Sequence, residues 1–229
     1  MKTALLNGIS PIKSRARLFL KETSGVAAME FALIAPLMIG VYLGLAELSH
    51  ALNKKRNISH SASVAGDLAT QVASLNKTQI EDMISAVVYT AGLRDNAGFG
   101  LRMQSYERAA DGTIKSEGVI TYKTSNFGRG LDEGSTDLAQ FDSSTVGADV
   151  MPVGTGIMVA YVRYQHKPFG FSSTSSSSGS RSIFPEYVTM EETFLYKPRQ
   201  SDVLVIGTAG TDVQFDCSGT ADSISCTES

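Results

Sequence analysis

The hydrophobic pattern changes period several times along the chain. From Val26 to Leu45 run 20 consecutive residues whose only charged member is Glu30. At about 1.5 Å of rise per residue, a helix of that length is roughly 30 Å long and spans a bilayer. Beyond it, Leu48, Leu52, Ala62, Ala65, Leu68 or Ala69, Val72 and Leu75 recur at roughly helical spacing, so the helix is expected to continue as an amphipathic one, with polar residues 53–61 weakening its middle. Thr78-Gln79-Ile80-Glu81 has the form of a capping box. Ile80, Met83, Ile84, Val87, Val88 and Ala91 supply an apolar stripe after it, and Gly92 a stop, which predicts a second helix.

From Phe99 the period becomes two. Phe99, Leu101 and Met103 alternate with Gly100, Arg102 and Gln104, and Asp111-Gly112 is a hairpin signal before Ile114 to Lys123. Ile157 to His166 is apolar on both phases, as in a central strand, and Tyr187 to Tyr196 puts Val188, Met190, Phe194 and Tyr196 on one face. Residues 124–150, rich in Gly, Ser and Asp, predict a long loop with at most a short helix around Thr136 to Phe141, and residues 172–182 hold eight serines and no core. Val203 to Ile206 predicts a short edge strand after Lys197-Pro198-Arg199. The expected fold class is α+β: a long N-terminal transmembrane helix continuing into an extracytoplasmic helix, packed on a mainly antiparallel four-stranded sheet, with a C-terminal disulfide loop. The expected divisions are a basic leader 1–25, the membrane span 26–48, an amphipathic helical region 49–92, a sheet domain 93–199 with the serine-rich loop, and a tail 200–229.

Composition narrows the function. With 229 residues, 42% hydrophobic, 19% charged and a net charge of −3, the chain supports one medium domain, and disorder throughout is excluded. Three histidines and no tryptophan argue against a His-rich metalloenzyme, and the charge balance against a basic nucleic-acid binder. The mean conceals a split. Residues 1–25 hold Lys2, Lys13, Arg15, Arg17 and Lys21 against Glu22, 5 − 1 = +4, which leaves 15 − 22 = −7 for the remainder. Five basic residues before the span, against Lys54, Lys55 and Arg56 after it, favour a cytoplasmic N-terminus in the inner membrane and a periplasmic bulk. A secretory signal peptide cut near Ser49 or Ala51 is the rival reading, although its apolar region usually runs only about 7 to 15 residues. Cys217 and Cys226, in the oxidising compartment on this topology, predict a terminal disulfide, with two buried free thiols as the alternative.

A carboxylate within an apolar helix is costly unless paired. A cut between Gly25 and Val26 would place an α-amine on Val26, one helical turn from Glu30, and would remove the leader charges that hold the helix in the cytoplasmic leaflet. Gly25, Glu30, Phe31, Ala32, Leu33 and Pro36 resemble the segment that defines TadE-like pseudopilins of the tight-adherence (Flp) pilus machinery, with a type IV prepilin-like N-terminus; the resemblance covers roughly residues 24–66 and departs at Ser24 and Met29. It implies cleavage after Gly25 by a membrane prepilin peptidase and docking of Glu30 on a neighbour's N-terminal amine. The partners it implies are other pilins or pseudopilins, an inner-membrane assembly platform and membrane lipid, acting in pilus assembly and adhesion. A single-pass anchor with a tolerated edge glutamate, carrying an unprocessed extracytoplasmic binding module, is the alternative.

Within the span, Pro36 removes one backbone hydrogen bond and is expected to kink the helix, while Gly40 and Gly44 are spaced for close helix packing. Glu47 reads as a hydrated boundary residue. No P-loop, H-E-x-x-H, C-x-x-C or G-x-S-x-G motif is present. His50 and His60 lie some 15 Å apart along a helix, too far to share a metal. Glu191 and Glu192 fall on opposite faces of a strand, and Tyr161, Tyr164, Tyr187 and Tyr196 read as core before they read as a sugar-binding or subunit-contact surface. Asn57-Ile58-Ser59 and Asn76-Lys77-Thr78 match glycosylation sequons by pattern. The expectation is a protein without catalytic residues, metal, cofactor or nucleic-acid partner; a membrane-tethered hydrolase would need a nucleophile or metal cluster.

Overall fold

The computed structural model describes residues 24–93, 98–128, 138–168, 187–207 and 212–229. The leader, the serine-rich loop 172–182 and the start of the helix expected at Thr136 lie outside these residues. Two compact units divide between Leu48 and Ser49.

Helix α1 (Ser24–Thr70) runs without a break through Pro36 and through the polar stretch 53–61. Its first half, Gly25 to Leu48, is apolar and exposed, and it is long and apolar enough to cross a membrane. The polar middle stays helical because Ile58, Ala62, Ala65 and Ala69, spaced four, three and four apart, form a fully buried stripe. Ser61 satisfies its buried hydroxyl by donating to the Ile58 carbonyl at 2.8 Å, and Lys54 Nζ donates to the Gly92 carbonyl at 3.0 Å. Leu48 and Leu52, which the periodicity assigns to the apolar stripe, are instead about half exposed.

Strand β1 (Ser74–Leu75) leads into helix α2 (Lys77–Thr90). The capping box sits two residues earlier than the sequence pattern suggests: Asn76 is the N-cap, its side chain accepts from Gln79 N–H at 3.0 Å, and Gln79 Oε1 accepts from Asn76 N–H at 3.0 Å. Both Asn and Gln supply the required acceptors, so Thr78 is left inside the first turn. Helix α2 buries Ile80, Met83, Ile84, Val87 and Val88 and stops at Gly92, which has φ +59°.

The main sheet has six strands, not four: β2 (Gly98–Arg108), β3 (Ile114–Lys123), β4 (Gly156–His166), β5 (Val188–Tyr196), β7 (Gln214–Thr220) and β8 (Ser223–Glu228), in the order β5-β4-β2-β3-β7-β8. All pairings are antiparallel except β3 with β7. The short segment near Val203 becomes β6 (Val205–Ile206). It pairs in parallel with β1 in a separate two-stranded sheet, so it is not an edge of the main one. The extra strands come from the cysteine-closed tail. Cys217 and Cys226 are directly opposed across β7 and β8 and joined by a disulfide, and Val213, Phe215 and Cys217 alternate inward behind the polar composition. Helix α2 seats this hairpin: Glu81 Oε1 accepts from Cys226 N–H at 3.0 Å, and Ser85 Oγ donates to the Ala221 carbonyl.

Both sheet faces are covered. The α1 stripe and α2 pack on Phe99, Leu101, Met103, Ile120, Tyr122, Met158, Ala160 and Val162. On the reverse face Val146, Met151 and Phe141, from the segment around the 3₁₀ turn Ser143–Thr145, pack on Tyr106, Ile157 and Val159. Strand β4 is therefore buried along its full length. Gly118, with φ +129°, follows the extra residue Glu117 at a bulge in β3.

The approach of α1 to the sheet is set by the absence of side-chain atoms. A Cβ on Gly66 would lie 2.0 Å from the Tyr196 ring. Gly66→Ala is therefore predicted to destabilise the protein by about 1–2 kcal/mol through overpacking, although helix propensity alone favours Ala by about 1 kcal/mol. In a Tyr196→Ala background the same change should become stabilising; denaturant unfolding of the four proteins reads the sign reversal. Reducing the Cys217–Cys226 bond should lower stability by about 2–3 kcal/mol, as expected for a short closed loop, with hydrogen-exchange protection lost first in β7 and β8.

Candidate functional site

A Cβ on Gly25, the second described residue of α1, would meet nothing within 4 Å. Val26 is 56% exposed, and Glu30, one turn further on, is exposed and meets no cation among the described residues. From Gly25 to Leu48 only Ala35 and Glu47 are even partly covered. Val26, Glu30, Leu33, Leu37, Gly40 and Gly44 are spaced four, three, four, three and four apart. At 100° per residue they fall within an arc of about 80°. The carboxylate and both glycines thus share one face, and Pro36 lies just beyond its edge. Neither Gly40 nor Gly44 has any atom within 4 Å of a notional Cβ, so a neighbouring helix backbone can approach closely there. The spacing was readable from the sequence, since it needs only a continuous helix; the glycine pair and the glutamate simply have to be counted on the same wheel.

An apolar helix of this kind, with a carboxylate five residues after a glycine, is what the family comparison matches. Residues 25–67 match the model of the TadE-like protein family. The match begins at Gly25 and takes in α1 up to its last turn, and none of the sheet. No curated protein and no solved structure matches the chain. The TadE-like segment therefore bears on the helix, and the sheet has to be read from its own chemistry.

In the second unit the sequence candidates are brought into new company. His50 on α1 meets His166 at the end of β4, with ring centroids 5.8 Å apart and the planes tilted by 50°, and the Tyr164 ring lies 6.5 Å from that of His166. The separation of these residues along the chain hid the contact. His60 is exposed elsewhere on α1, and among the described residues no group of three or more metal-ligating side chains forms. Glu191 and Glu192 do face opposite ways: Glu191 lies 3.2 Å from Arg163 Nε and Glu192 3.6 Å from Lys55 Nζ. Tyr161 and Tyr164 are buried, whereas Tyr187 and Tyr196 are half-buried. Burial, then the nearby Glu191 carboxylate, pushes the Tyr161 phenol up to about 12, so it is protonated at neutral pH. The Asn76 side chain is engaged as a helix cap.

The carboxylate most out of place is Glu117, at the β3 bulge. Burial, then repulsion from Glu107 and Asp212, raises its pKa above the ordinary 4.5. A raised folded-state value means that protonation favours the fold. This contribution is fully present below the ordinary glutamate range and lost as pH rises through the higher folded value. Glu117→Gln should therefore be more stable than the parent at neutral pH, with the difference vanishing as pH falls into the ordinary range; urea midpoints measured across pH 3 to 8, a span of about 5 units around that range, read it.

Proposed function

We propose that the chain is a minor pseudopilin of a tight-adherence (Flp) pilus machinery, acting in pilus assembly and adhesion. In this reading it is inserted in the inner membrane with its N-terminus in the cytoplasm and its sheet unit in the periplasm, and is cut by a prepilin peptidase between Gly25 and Val26. It then docks through α1 onto other pilins or pseudopilins and the inner-membrane platform. It performs no catalysis of its own. The observation that carries this reading is that the family match begins at Gly25, with the apolar stretch from Val26 to Leu45 directly after it and the five basic residues Lys2, Lys13, Arg15, Arg17 and Lys21 before it.

A precursor with a +4 leader cannot leave the membrane on its cytoplasmic side, because dragging those charges through hydrocarbon costs several kcal/mol, roughly 2.5–3.5 per charge at the helix centre. Removing the leader frees the helix and creates a cation at Val26. In a row of parallel helices, the Glu30 carboxylate of one subunit and the amine of the next neutralise each other, which lowers the cost of both in lipid. The shared face with Gly40 and Gly44 brings the helix backbones close enough for that pairing.

Gly25→Leu should leave a full-length precursor in the membrane, seen as a species larger than the parent by the mass of the leader. Glu30→Ala should be cut normally yet fall out of sheared pilus fractions, and undiminished incorporation of Glu30→Ala would contradict the docking role.

A further inference from the structure

Strand β5 is one edge of the main sheet, and no described strand lies on its outer side. Sheet edges are usually blunted by shortness, lysine, proline or a bulge, because their unpaired N–H and C=O groups otherwise template another strand. β5 has none of these: it is nine residues long, holds no Lys, Arg or Pro, and keeps unbroken register with β4 from Val188 to Tyr196. Its Val188 and Leu195 side chains are exposed. The opposite edge is better guarded, since β8 has six residues and its Cys226 N–H is already taken by Glu81 Oε1.

Helix α1 runs beside β5 in the same direction. His50 meets His166, whose register partner is Val188; Lys55 Nζ lies 3.6 Å from Glu192; and Gly66 abuts the Tyr196 ring. From the first of these contacts to the last, about 24 Å of helix flanks about 26 Å of strand. Between them lies a groove of about 570 Å³, with Leu52, Arg56, Ser59 and His60 on one wall and Glu192 and Phe194 on the other. No β4 residue lines it, so it opens toward the edge. A strand added to β5 turns every second side chain into this groove.

The groove also selects what such a strand carries. Lys55 and Glu192 answer each other, whereas Arg56 and His60, four residues apart on α1 and both exposed, meet no carboxylate among the described residues. An unanswered guanidinium beside an imidazole favours an acidic side chain on the incoming strand, and Leu52 and Phe194 favour apolar neighbours for it. A second copy of β5 fits badly, because two-fold antiparallel pairing about the middle of the strand sets Glu192 opposite Glu192.

We propose that the β5 edge takes an extended acidic segment of a partner protein by strand addition, its backbone pairing with β5 and a carboxylate lying on Arg56. The surface belongs to the sheet unit and holds whether or not the chain is cut after Gly25.

The test is fluorescence anisotropy of labelled, capped peptides as long as β5, titrated with the full-length protein in detergent micelles. The probe alternates valine and threonine, with aspartate at its central valine position; one control carries lysine there, and another is the aspartate peptide with N-methylated backbone amides. Saturable binding of the aspartate peptide is expected, with the lysine peptide at least about tenfold weaker because an attraction is replaced by a repulsion. N-methylation should abolish binding, since strand addition rests on backbone hydrogen bonds. Arg56→Gln, at an exposed helix position, should weaken the aspartate peptide about threefold to fivefold, the size of one surface ion pair, and Arg56→Glu should reverse the preference toward lysine. Absence of saturable binding, equal binding of the lysine or N-methylated peptide, or indifference to both substitutions would overturn the proposal. So would a concentration-dependent dimer that the aspartate peptide dissociates, because the edge would then serve a second copy of the chain.

Discussion

The structure depends first on what surrounds the first half of α1. Twelve large apolar side chains between Val26 and Leu45 are more than half exposed, among them Leu33 at 81% and Met29 at 77%. Holding them in water would cost on the order of 10–20 kcal/mol, as much as the whole margin of about 5–15 kcal/mol by which a domain is stable. The helix therefore requires hydrocarbon or other helices as its solvent. That requirement makes Glu30 significant, because a solvent that suits the other residues penalises an unpaired carboxylate.

The second unit solves a different packing problem. A helix with only Ile58 and three alanines in its buried stripe brings little apolar bulk, but Gly66 and the alanines let its backbone come close to the sheet, and the larger residues of β2, β3 and β4 fill the gap. Helix α2 and the disulfide-closed hairpin then fix each other through Glu81 and Ser85. On the reverse face Val146, Met151 and Phe141, from irregular chain around a 3₁₀ turn, cover Tyr106, Ile157 and Val159.

The strongly periodic elements were legible from residues alone: the apolar span, α2 and the four strands of alternating or uniformly apolar pattern. The tail strands were not, because Asp216 and Gly219 lower β-propensity and the parallel partner of β7 lies far away in β3. Polar residues 53–61 misled in the other direction. Ile58 is fully buried there, and Lys54, Lys55 and Ser61 find partners in Gly92, Glu192 and the Ile58 carbonyl, so tertiary packing outweighs local composition. At the N-terminal site the residues were readable because all lie on one helix. The contact of His50 with His166 was not, since it joins a helix to a strand more than a hundred residues away.

The central claim is that Gly25 is a boundary in the mature protein as well as in the family match. The most direct measurement is the intact mass of the membrane-extracted protein from cells with and without prepilin peptidase. The account predicts a chain beginning at Val26 only when the peptidase is present. A chain retaining Met1 in both cells, or one beginning after Ala51, would contradict it.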